Sequence, residues 1–573
     1  MWSFLDDMMR ILNFDSKWRM WMLECVSSAS ANVLINGSPS GEFKLERGLR
    51  QGDPLSPFLF LIVAEGLSLL VTKAVEEGLL EAASIGNDQV PVANLQYADD
   101  TIFMVSDNPG NAWAIKCLLK NFELASGLRV NFDKCSLMGV NVDVNMMREM
   151  AETLQCELGC IPFSYLGVRV GINHKRIAEW DHLVHKMKTR LKSWEHKKLS
   201  LGGRITILKA VLTAIPIYQL SFYCLPKTIL SELTKLQRTF LWGGSVDVRK
   251  TAWISWESIT SSKDKGGLGV RDLRFFNNAL MGKWLWFFLS NKNCLWVKIL
   301  SSVYGTLRLG EGGVVSTSNR NCWSSWWGDV VKIGNGVEGK WFRDNVARFV
   351  GNGRSTKFWE DIWIGSESLK SAFPRLYRLS LGRESFIAGM GEWVGGEWVW
   401  KWEWRRNLFG REESSFNNLL ALLTSCRLSE HTNDRWVWRP TSDGNYSTSS
   451  AYDEAVRQEV AVVNAAVHGV RFAKVWNKIV PLKVASLTWR TMWDRIPTKK
   501  NLVHVNHIFL GCPMVREVWD NMYSWIGITT VQHKDVKHHF EAHSGLVKGK
   551  KKASFMNGAF CVRKIVDEIK VVF

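Results

Sequence analysis

Two short apolar segments that meet at a pair of acidic residues constrain this chain more than any other feature of its sequence. The stretch from Leu95 to Val105 reads Leu-Gln-Tyr-Ala-Asp-Asp-Thr-Ile-Phe-Met-Val. β-prone residues on both sides of the acidic step predict two strands joined by a tight turn, with Asp99 and Asp100 at its tip. Adjacent carboxylates repel each other unless a cation lies beside them, which favours a hard divalent metal ion. An ordinary Asp-rich turn is the alternative.

A second informative stretch lies upstream, from Arg47 to Pro57. It contains two glycines, two prolines and two arginines. This composition predicts a loop whose backbone comes close to a ligand while cations face it, and Gly52 would let a flat group approach without a Cβ in the way. Pro57 then begins a predicted apolar helix that continues through Val71. Taken alone, the stretch is equally compatible with a simple loop before a helix.

The overall composition narrows the class of protein. Lysine and arginine number 73 against 55 acidic residues, a formal net charge of +18, and such a surplus indicates a polyanionic partner such as nucleic acid. A solvated basic surface is the alternative. The 11 cysteines are odd in number and scattered, which favours a reducing compartment. Because no signal peptide is visible and the longest apolar run is interrupted by Glu65, we expect an intracellular protein, nuclear or cytoplasmic, that is neither secreted nor embedded in a membrane.

Three stretches together resemble a known family. They are Arg-Gly-Leu-Arg-Gln-Gly-Asp-Pro-Leu-Ser-Pro-Phe-Leu-Phe (47 to 60), Tyr-Ala-Asp-Asp (97 to 100) and Ser-Gly-Leu-Arg-Val-Asn-Phe-Asp-Lys-Cys-Ser (126 to 136). In order and spacing they resemble the palm motifs of reverse transcriptases, most closely those of plant LINE-type retrotransposons, which lack long terminal repeats. The resemblance implies an RNA-directed DNA polymerase, a nucleotidyltransferase that uses Mg²⁺ or Mn²⁺. Its partners would be an RNA template, a DNA primer and deoxynucleoside triphosphates.

The resemblance also implies roles for individual residues. Asp99 would be the main metal ligand and Asp100 the supporting one, in a reaction where two divalent ions stabilise the attacking and leaving oxygens. Lys134 matches the family lysine that neutralises or protonates the departing pyrophosphate. The residues implied to lie near the template, the incoming nucleotide or the primer end are Arg50, Gln51, Gly52 and Tyr97.

One departure from the family pattern qualifies these implications. The family carries a further metal-binding aspartate upstream, on a strand followed by a helix that a tryptophan begins. This sequence starts at Met1-Trp2-Ser3-Phe4-Leu5, which is similar to that helix, so the resemblance implies a truncated polymerase with little or no activity or a misplaced start codon. Asp6 and Asp7 lie within a predicted helix and cannot replace the missing carboxylate. Two alternatives stay open: a non-catalytic nucleic-acid-binding remnant, and a decayed product with no role.

Downstream of the palm-like motifs, the sequence is first basic and then rich in tryptophan. Residues 184 to 209 carry Lys186, Lys188, Arg190, Lys192, Lys197, Lys198, Arg204 and Lys209. They predict either a thumb-like helical region that follows a nucleic-acid backbone or a solvated helix face. The tryptophans between Trp253 and Trp404 fit a core better than a base-stacking surface. The glycine-rich pieces at 265 to 269 and 351 to 355 are too short to be phosphate loops.

The C-terminal part carries a second resemblance. Residues 436 to 525 resemble the zinc-binding domain that follows the reverse transcriptase in the plant elements. His507 and Cys512 match one half of its metal site, whereas the expected Cys-x-x-Cys half is missing. Because structural zinc needs four ligands, we predict no bound zinc.

We therefore predict an α+β chain in five parts. The fold class combines a partial polymerase palm, made of an antiparallel sheet and helices, with a helical thumb-like region, a tryptophan-rich connector and a small, mostly helical C-terminal domain. The predicted boundaries are 1–172 for the palm, 173–250 for the thumb-like region, 251–430 for the connector, 431–526 for the zinc-binding-like domain and 527–573 for a tail rich in histidine and lysine.

Overall fold

The computed structural model describes most of the chain up to residue 495. The described ranges are 1–195, 199–244, 252–310, 313–316, 323–335, 340–365, 367–463, 472–476, 480–493, 495, 519–520 and 523–524. Contacts divide the chain into two compact units, one of residues 1–172 with 292–306 and one of 173–291 with 307–573. Helices and short strand pairs occur in both units, so the predicted α+β class is confirmed at that level.

Helices dominate the described secondary structure. The α-helices are α1 (Trp2–Ile11), α2 (Ser16–Ser27), α3 (Ser56–Glu76), α4 (Gly110–Ser126), α5 (Val144–Leu154), α6 (Asp181–Glu195), α7 (Leu201–Ile207), α8 (Ile217–Leu220), α9 (Lys227–Leu241), α10 (Trp256–Thr260), α11 (Leu273–Ser290), α12 (Leu295–Tyr304), α13 (Ser325–Ile333), α14 (Lys340–Arg343), α15 (Leu369–Ala372), α16 (Pro374–Leu379), α17 (Arg411–Leu423), α18 (Thr448–Val463) and α19 (Leu482–Met492). Single turns of 3₁₀-helix occupy Phe132–Lys134, Ile177–Trp180, Lys263–Lys265, Ile387–Gly389 and Phe472–Trp476, and a π-helical turn occupies Leu208–Leu212.

The described strands form two-stranded ribbons. They are β1 (Ser30–Ala31), β2 (Leu34–Ile35), β3 (Ser38–Pro39), β4 (Phe43–Lys44), β5 (Ala83–Ile85), β6 (Val90–Val92), β7 (Asn94–Tyr97), β8 (Asp100–Phe103), β9 (Ser136–Leu137), β10 (Glu157–Leu158), β11 (Phe163–Tyr165), β12 (Val168–Val170), β13 (Leu307–Gly310), β14 (Gly313–Ser316), β15 (Val346–Phe349), β16 (Gly391–Val394), β17 (Glu397–Trp400) and β18 (Arg435–Trp438). The antiparallel pairs are β1–β4, β2–β3, β5–β6, β7–β8, β11–β12, β13–β14, β15–β18 and β16–β17, and β9–β10 is parallel.

The core of the first unit forms around the long helix α3. Its apolar residues pack with those of α1, α4 and α5, because each helix presents one apolar face to the others. The predicted helix from Pro57 to Val71 is longer in the structure, since it begins at Ser56 and runs to Glu76. At 21 residues, α3 is long and apolar enough to cross a membrane. Leu59, Leu67 and Val71 of α3 are buried in the core of the first unit, whereas Phe58 and Leu61 are exposed.

A helix from much later in the sequence completes the first unit. Helix α12 packs against the β5–β6 hairpin, and its Ser302 is buried there. The Ser302 hydroxyl accepts the backbone N–H of Asp88 at 2.7 Å, and the Ser302 carbonyl accepts that of Asn87 at 3.2 Å. Gly86 fits this contact because a Cβ there would lie 2.4 Å from the Ser302 hydroxyl oxygen.

The second unit contains a core built from α6, α7, α9 and two C-terminal elements. Ile229, Leu233, Leu236 and Phe240 share the buried face of α9, as their spacing predicts. The 3₁₀ turn at 472–476 and helix α19 add side chains to the same core, including the fully buried Trp489. The predicted thumb-like region and the described pieces of the predicted zinc-binding-like domain therefore share a core. The five-part division of the chain stays a prediction.

Tryptophans fill the interior of the second unit. Among the residues that the structure describes, ten of them are buried, and seven of these ten touch other aromatic rings, mostly in the tilted or edge-to-face arrangements that aromatic quadrupoles favour. The seven are Trp286, Trp327, Trp341, Trp359, Trp363, Trp438 and Trp489. For the five of these that lie between Trp253 and Trp404, the core interpretation is confirmed over the base-stacking one.

Candidate metal centre at an acidic hairpin

The predicted acidic hairpin is present, with one difference at its tip. Strands β7 and β8 pair antiparallel, and Tyr97 lies directly opposite Asp100. The two-residue turn is therefore Ala98 and Asp99, and Asp100 is the first residue of β8 rather than part of the turn. Ala98 has a φ of +50°, the left-handed conformation that tight two-residue hairpins need in their first turn position.

A polar contact beneath the hairpin fixes which face points outward. Asn94 and Gln96 lie on the same face of β7, because alternate residues of a strand point to one side. The Ser68 hydroxyl of α3 donates to the Gln96 side-chain oxygen at 3.2 Å and accepts from the Asn94 amide at 3.4 Å. The opposite face carries Tyr97 and Asp100, and it is open to solvent.

The open face can accept a cation. Asp99 and Asp100 are exposed, and Tyr97 keeps 63% of its surface. Neither carboxylate forms an ion pair with a residue that the structure describes. Carboxylate oxygens are the ligands that Mg²⁺ and Mn²⁺ prefer, so these residues suit a divalent ion. Over the described ranges no group of three or more His, Cys, Asp or Glu side chains forms a ready metal site.

The glycine-containing loop before α3 forms a separate exposed surface. Gly52 has a φ of +88°, and the space around it is open, so glycine is needed here for its backbone conformation and not for close packing. The Arg50 guanidinium pairs with the Asp53 carboxylate at 2.8 Å, and Asp53 also accepts the Leu55 backbone N–H at 2.8 Å. Arg50 and Gln51 are both exposed.

Lys134 ends the 3₁₀ turn that follows α4. The Asn131 side chain accepts the backbone N–H of Asp133 and so begins this turn, and the Lys134 side chain is exposed. Phe132 packs on the core of the first unit, as do Phe103 of the hairpin and Leu49 of the loop before α3. The three predicted site segments are thus attached to one core. Within the described residues no hydrogen bond joins their side chains directly.

Ser68 positions the hairpin and belongs to none of the three sequence motifs. It lies in the middle of an apolar helix and in no recognisable motif, so its own sequence context gives little signal. The sequence does contain one indication of such a partner, because the polar residues Asn94 and Gln96 occupy alternate positions of an otherwise apolar strand. Such a pair needs a polar partner if its face of the hairpin is covered.

The basic region between residues 184 and 209 divides into exposed and engaged side chains. Lys186, Arg190 and Lys192 project from α6 into solvent. Lys188 is paired with Glu232 of α9 at 2.7 Å, and Arg204 and Lys209 are half-buried. Burial lowers the pKa of Arg204. Three described cations of this region are therefore available to a polyanion on α6.

The glycine-rich piece at 351 to 355 already holds an anion from its own chain. The carboxylate of Asp434 accepts the backbone N–H groups of Gly351, Gly353 and Ser355 at 2.8 to 2.9 Å and the Thr356 hydroxyl at 2.9 Å. Burial would raise the pKa of Asp434, but these hydrogen bonds outweigh it and the pKa is lowered. Because Asp434 occupies the donors, this loop is not available to a phosphate.

The predicted zinc half-site cannot be placed. His507 and Cys512 lie outside the residues that the structure describes, and so does the tail at 527–573. The predictions that concern them, including the absence of bound zinc, stay predictions. The eight cysteines in the described ranges all carry free thiols.

Comparisons with known proteins find a family match over the part of the chain that contains the hairpin. Residues 1–170 match the family described as reverse transcriptase (RNA-dependent DNA polymerase). A protein of Arabidopsis thaliana with the provisional name ribonuclease H protein is 30% identical over 328 residues, which cover 54% of this chain and 47% of that protein. An uncharacterized mitochondrial protein of the same plant is 32% identical over 156 residues, 27% of this chain and 96% of its own length.

A more distant relative comes from an animal. The uncharacterized 149 kDa protein of transposon TX1 from Xenopus laevis is 24% identical over 276 residues, 48% of this chain and 20% of that protein. The chain thus spans about half the length of the Arabidopsis ribonuclease H protein and a smaller part of the transposon protein.

Proposed function

Because the chain belongs to the reverse transcriptases of LINE-type retrotransposons, which lack long terminal repeats, we propose that it acts in RNA-directed DNA synthesis. The observation that carries the proposal is the β7–β8 hairpin, whose inner face is held by Ser68 while Asp100 and Tyr97 face solvent. In this proposal the first unit is the polymerase palm and the α6 to α9 region is the thumb.

Asp99 and Asp100 are the proposed metal ligands, with Mg²⁺ or Mn²⁺ as the ion. Asp99 and Asp100 would hold the ion, and the ion would supply charge stabilisation to the attacking and leaving oxygens of phosphoryl transfer. The two carboxylates stand at the end of a short, fixed hairpin, and this restricts their positions before substrate arrives.

The remaining site residues bind and orient substrate in this proposal. Tyr97 borders the primer end, and Gln51 and Gly52 present a flat, exposed backbone to the template and the incoming nucleotide. The ion pair of Arg50 with Asp53 fixes the guanidinium beside them. Lys134 supplies a mobile, exposed ammonium for the departing pyrophosphate.

We further propose that this chain polymerises slowly. The hairpin supplies two carboxylates, fewer anionic ligands than two divalent ions need for tight binding. Phosphate oxygens of the nucleotide would add ligands only while substrate is bound, so the metal would bind weakly to the free protein.

A primer-extension assay on an RNA template, with Mg²⁺ and with Mn²⁺, tests the proposed function. We expect slow primer extension, and we expect its rate to fall at least about 100-fold in Asp99→Asn. Replacing a direct metal ligand should reduce activity more than replacing a residue that only orients a ligand. Asp107→Asn is the matched control, because Asp107 is an exposed carboxylate that lies shortly after β8. Extension by Asp99→Asn that equals extension by the Asp107→Asn control would refute the role of the hairpin.

Non-catalytic nucleic-acid binding is the second candidate function, and the exposed cations of α6 favour it. Lys186 and Arg190 lie one helical turn apart, with Lys192 close by. Three results together would support this function if the chain shows no primer extension. Binding to nucleic acid should weaken with salt and should survive the loss of both Asp99 and Asp100. It should disappear in the double variant Lys186→Glu with Arg190→Glu. Within either function we propose an intracellular location.

A further inference from the structure

Two lysine side chains of the second unit lie close together around Gly269. A Cβ built on Gly269 would be 3.5 Å from the ammonium nitrogen of Lys209 and 3.7 Å from Cγ of Lys263. Lys209 belongs to the π-helical turn after α7, and Lys263 begins the 3₁₀ turn after α10. The Lys263 ammonium also lies 5.3 Å from the centre of the Trp476 ring. Both lysines therefore lie beside one glycine, next to an indole.

The loop that carries Lys263 and Gly269 is held in place from several sides. The Gly266 carbonyl accepts the indole N–H groups of Trp489 and Trp493 at 2.7 and 2.9 Å. A Cβ on Gly267 would lie 1.9 Å from the Ser261 carbonyl oxygen, so only glycine fits there. These contacts fix the backbone of the loop that carries Lys263 and Gly269.

Placing two cationic side chains beside one glycine costs energy in the free protein. Burial first, and then the neighbouring charge of Lys263, lower the pKa of Lys209 from its ordinary value to about 8. Neither lysine forms an ion pair with a carboxylate of the described residues, and this includes Asp264, the next residue after Lys263. An incoming anion would reduce both the repulsion between the two cations and the energetic cost of burying Lys209.

We propose that Lys209 and Lys263 bind a backbone phosphate of single-stranded nucleic acid, a proposal that rests on the nucleic-acid role proposed above. Two ammonium groups can donate to different oxygens of one phosphate, and the missing side chain at Gly269 leaves space beside the Lys209 ammonium. The open face of Gly269 and the exposed Lys263 let a chain pass through, whereas a closed pocket would select a free ion. Its residues are different from the exposed cations of α6 and from the carboxylates of the acidic hairpin.

Binding of a labelled single-stranded RNA, measured by fluorescence anisotropy over a range of salt concentrations, tests the proposal on the full chain. We expect Lys209→Met and Lys263→Met each to weaken binding several-fold and to reduce the salt slope by about 0.7, one phosphate contact on a single strand. Lys283→Met is the matched control, because the exposed Lys283 also lies over an aromatic ring, that of Phe287, without a second lysine. Lys209→Arg should retain binding.

The possible outcomes separate this proposal from the one it rests on. If the unaltered chain binds no RNA, the proposed nucleic-acid role fails. If the unaltered chain binds and both methionine variants bind as tightly with the same slope, only the two-lysine site is wrong. If inorganic pyrophosphate competes with RNA for the unaltered chain but not for Lys209→Met, the site recognises phosphate as such. If Lys283→Met weakens RNA binding as much as the two site variants do, the effect reflects the general charge of the chain and the proposed two-lysine site is wrong.

Discussion

Tyr97 and Asp100 owe their exposure to residues on the opposite face of the same two strands. The alternation of side chains and the tight turn could be read from the sequence, and so could the presence of both carboxylates at one end of the hairpin. The direction of the open face could not, because it depends on a hydroxyl from α3 that no motif contains. Single polar residues within apolar helices become informative only when their partners are known.

Lys209 should make stability depend on pH in a way that a surface lysine would not. Its pKa is lowered to about 8 in the folded chain and is near 10.5 in the unfolded chain. Between these values the unfolded state binds more protons, so folding becomes more favourable as pH rises from about 8 to 10.5. We expect the stability of the unaltered chain to rise relative to that of Lys209→Met by on the order of 1 kcal/mol, a figure reduced for partial exposure. Urea unfolding of both proteins at the two pH values measures the difference, and parallel curves would contradict the assignment.

Asp434 should be one of the most sensitive residues of the second unit. Replacement by asparagine removes a charge that accepts several short hydrogen bonds, at a cost of about 3 kcal/mol. Because the pKa is lowered, the contribution is present above about pH 4 and is lost as pH falls through the lower folded value. Thermal unfolding near neutral pH and near pH 3 checks both statements. Asp443→Asn is the comparison, since that exposed carboxylate accepts hydrogen bonds within its own turn and should matter less.

At the scale of elements, helices with one apolar face were the most predictable part of the fold. The buried face of α9 follows from its spacing, and α3 differs from the prediction only in its length. Loops were less predictable for a physical reason. The glycines at 351 and 353 gave no sign that a carboxylate some 80 residues later would bind their N–H groups. The docking of α12 on the β5–β6 hairpin likewise depends on contacts across more than 200 residues.

The contact between α12 and the β5–β6 hairpin can be tested with a pair of glycines. Gly86 and Gly78 both have left-handed backbones, with φ of +76° and +70°, but only Gly86 has Ser302 against it. Alanine at either position incurs the backbone strain, of order 1 kcal/mol. Gly86→Ala also has to displace α12, so we expect it to cost about 1 to 3 kcal/mol more than Gly78→Ala. Equal losses in chemical denaturation would show that the contact contributes nothing.

For the whole molecule, composition agrees with the family match, whereas the arrangement of the chain could not be predicted from the sequence. The surplus of cations is consistent with the family that the chain belongs to, and the tryptophan count reflects a large aromatic core. Segment order along the sequence did not predict which segments pack together, because tertiary contacts are not limited to neighbours in sequence. Residues 472–476 and 480–493 complete the core of α6 to α9, and residues 292–306 belong to the unit of the acidic hairpin.

The membership of α12 in the first unit has a practical consequence for expressing that unit alone. A recombinant fragment cut at residue 172 would lack the helix that covers the β5–β6 hairpin and would leave the N–H groups of Asn87 and Asp88 without their protein acceptor. We expect such a fragment to melt at a lower temperature than one in which residues 292–306 are joined to it through a flexible linker. Scanning calorimetry of the two fragments would show the difference, and equal melting temperatures would mean that the shorter gene fragment suffices for biochemical work.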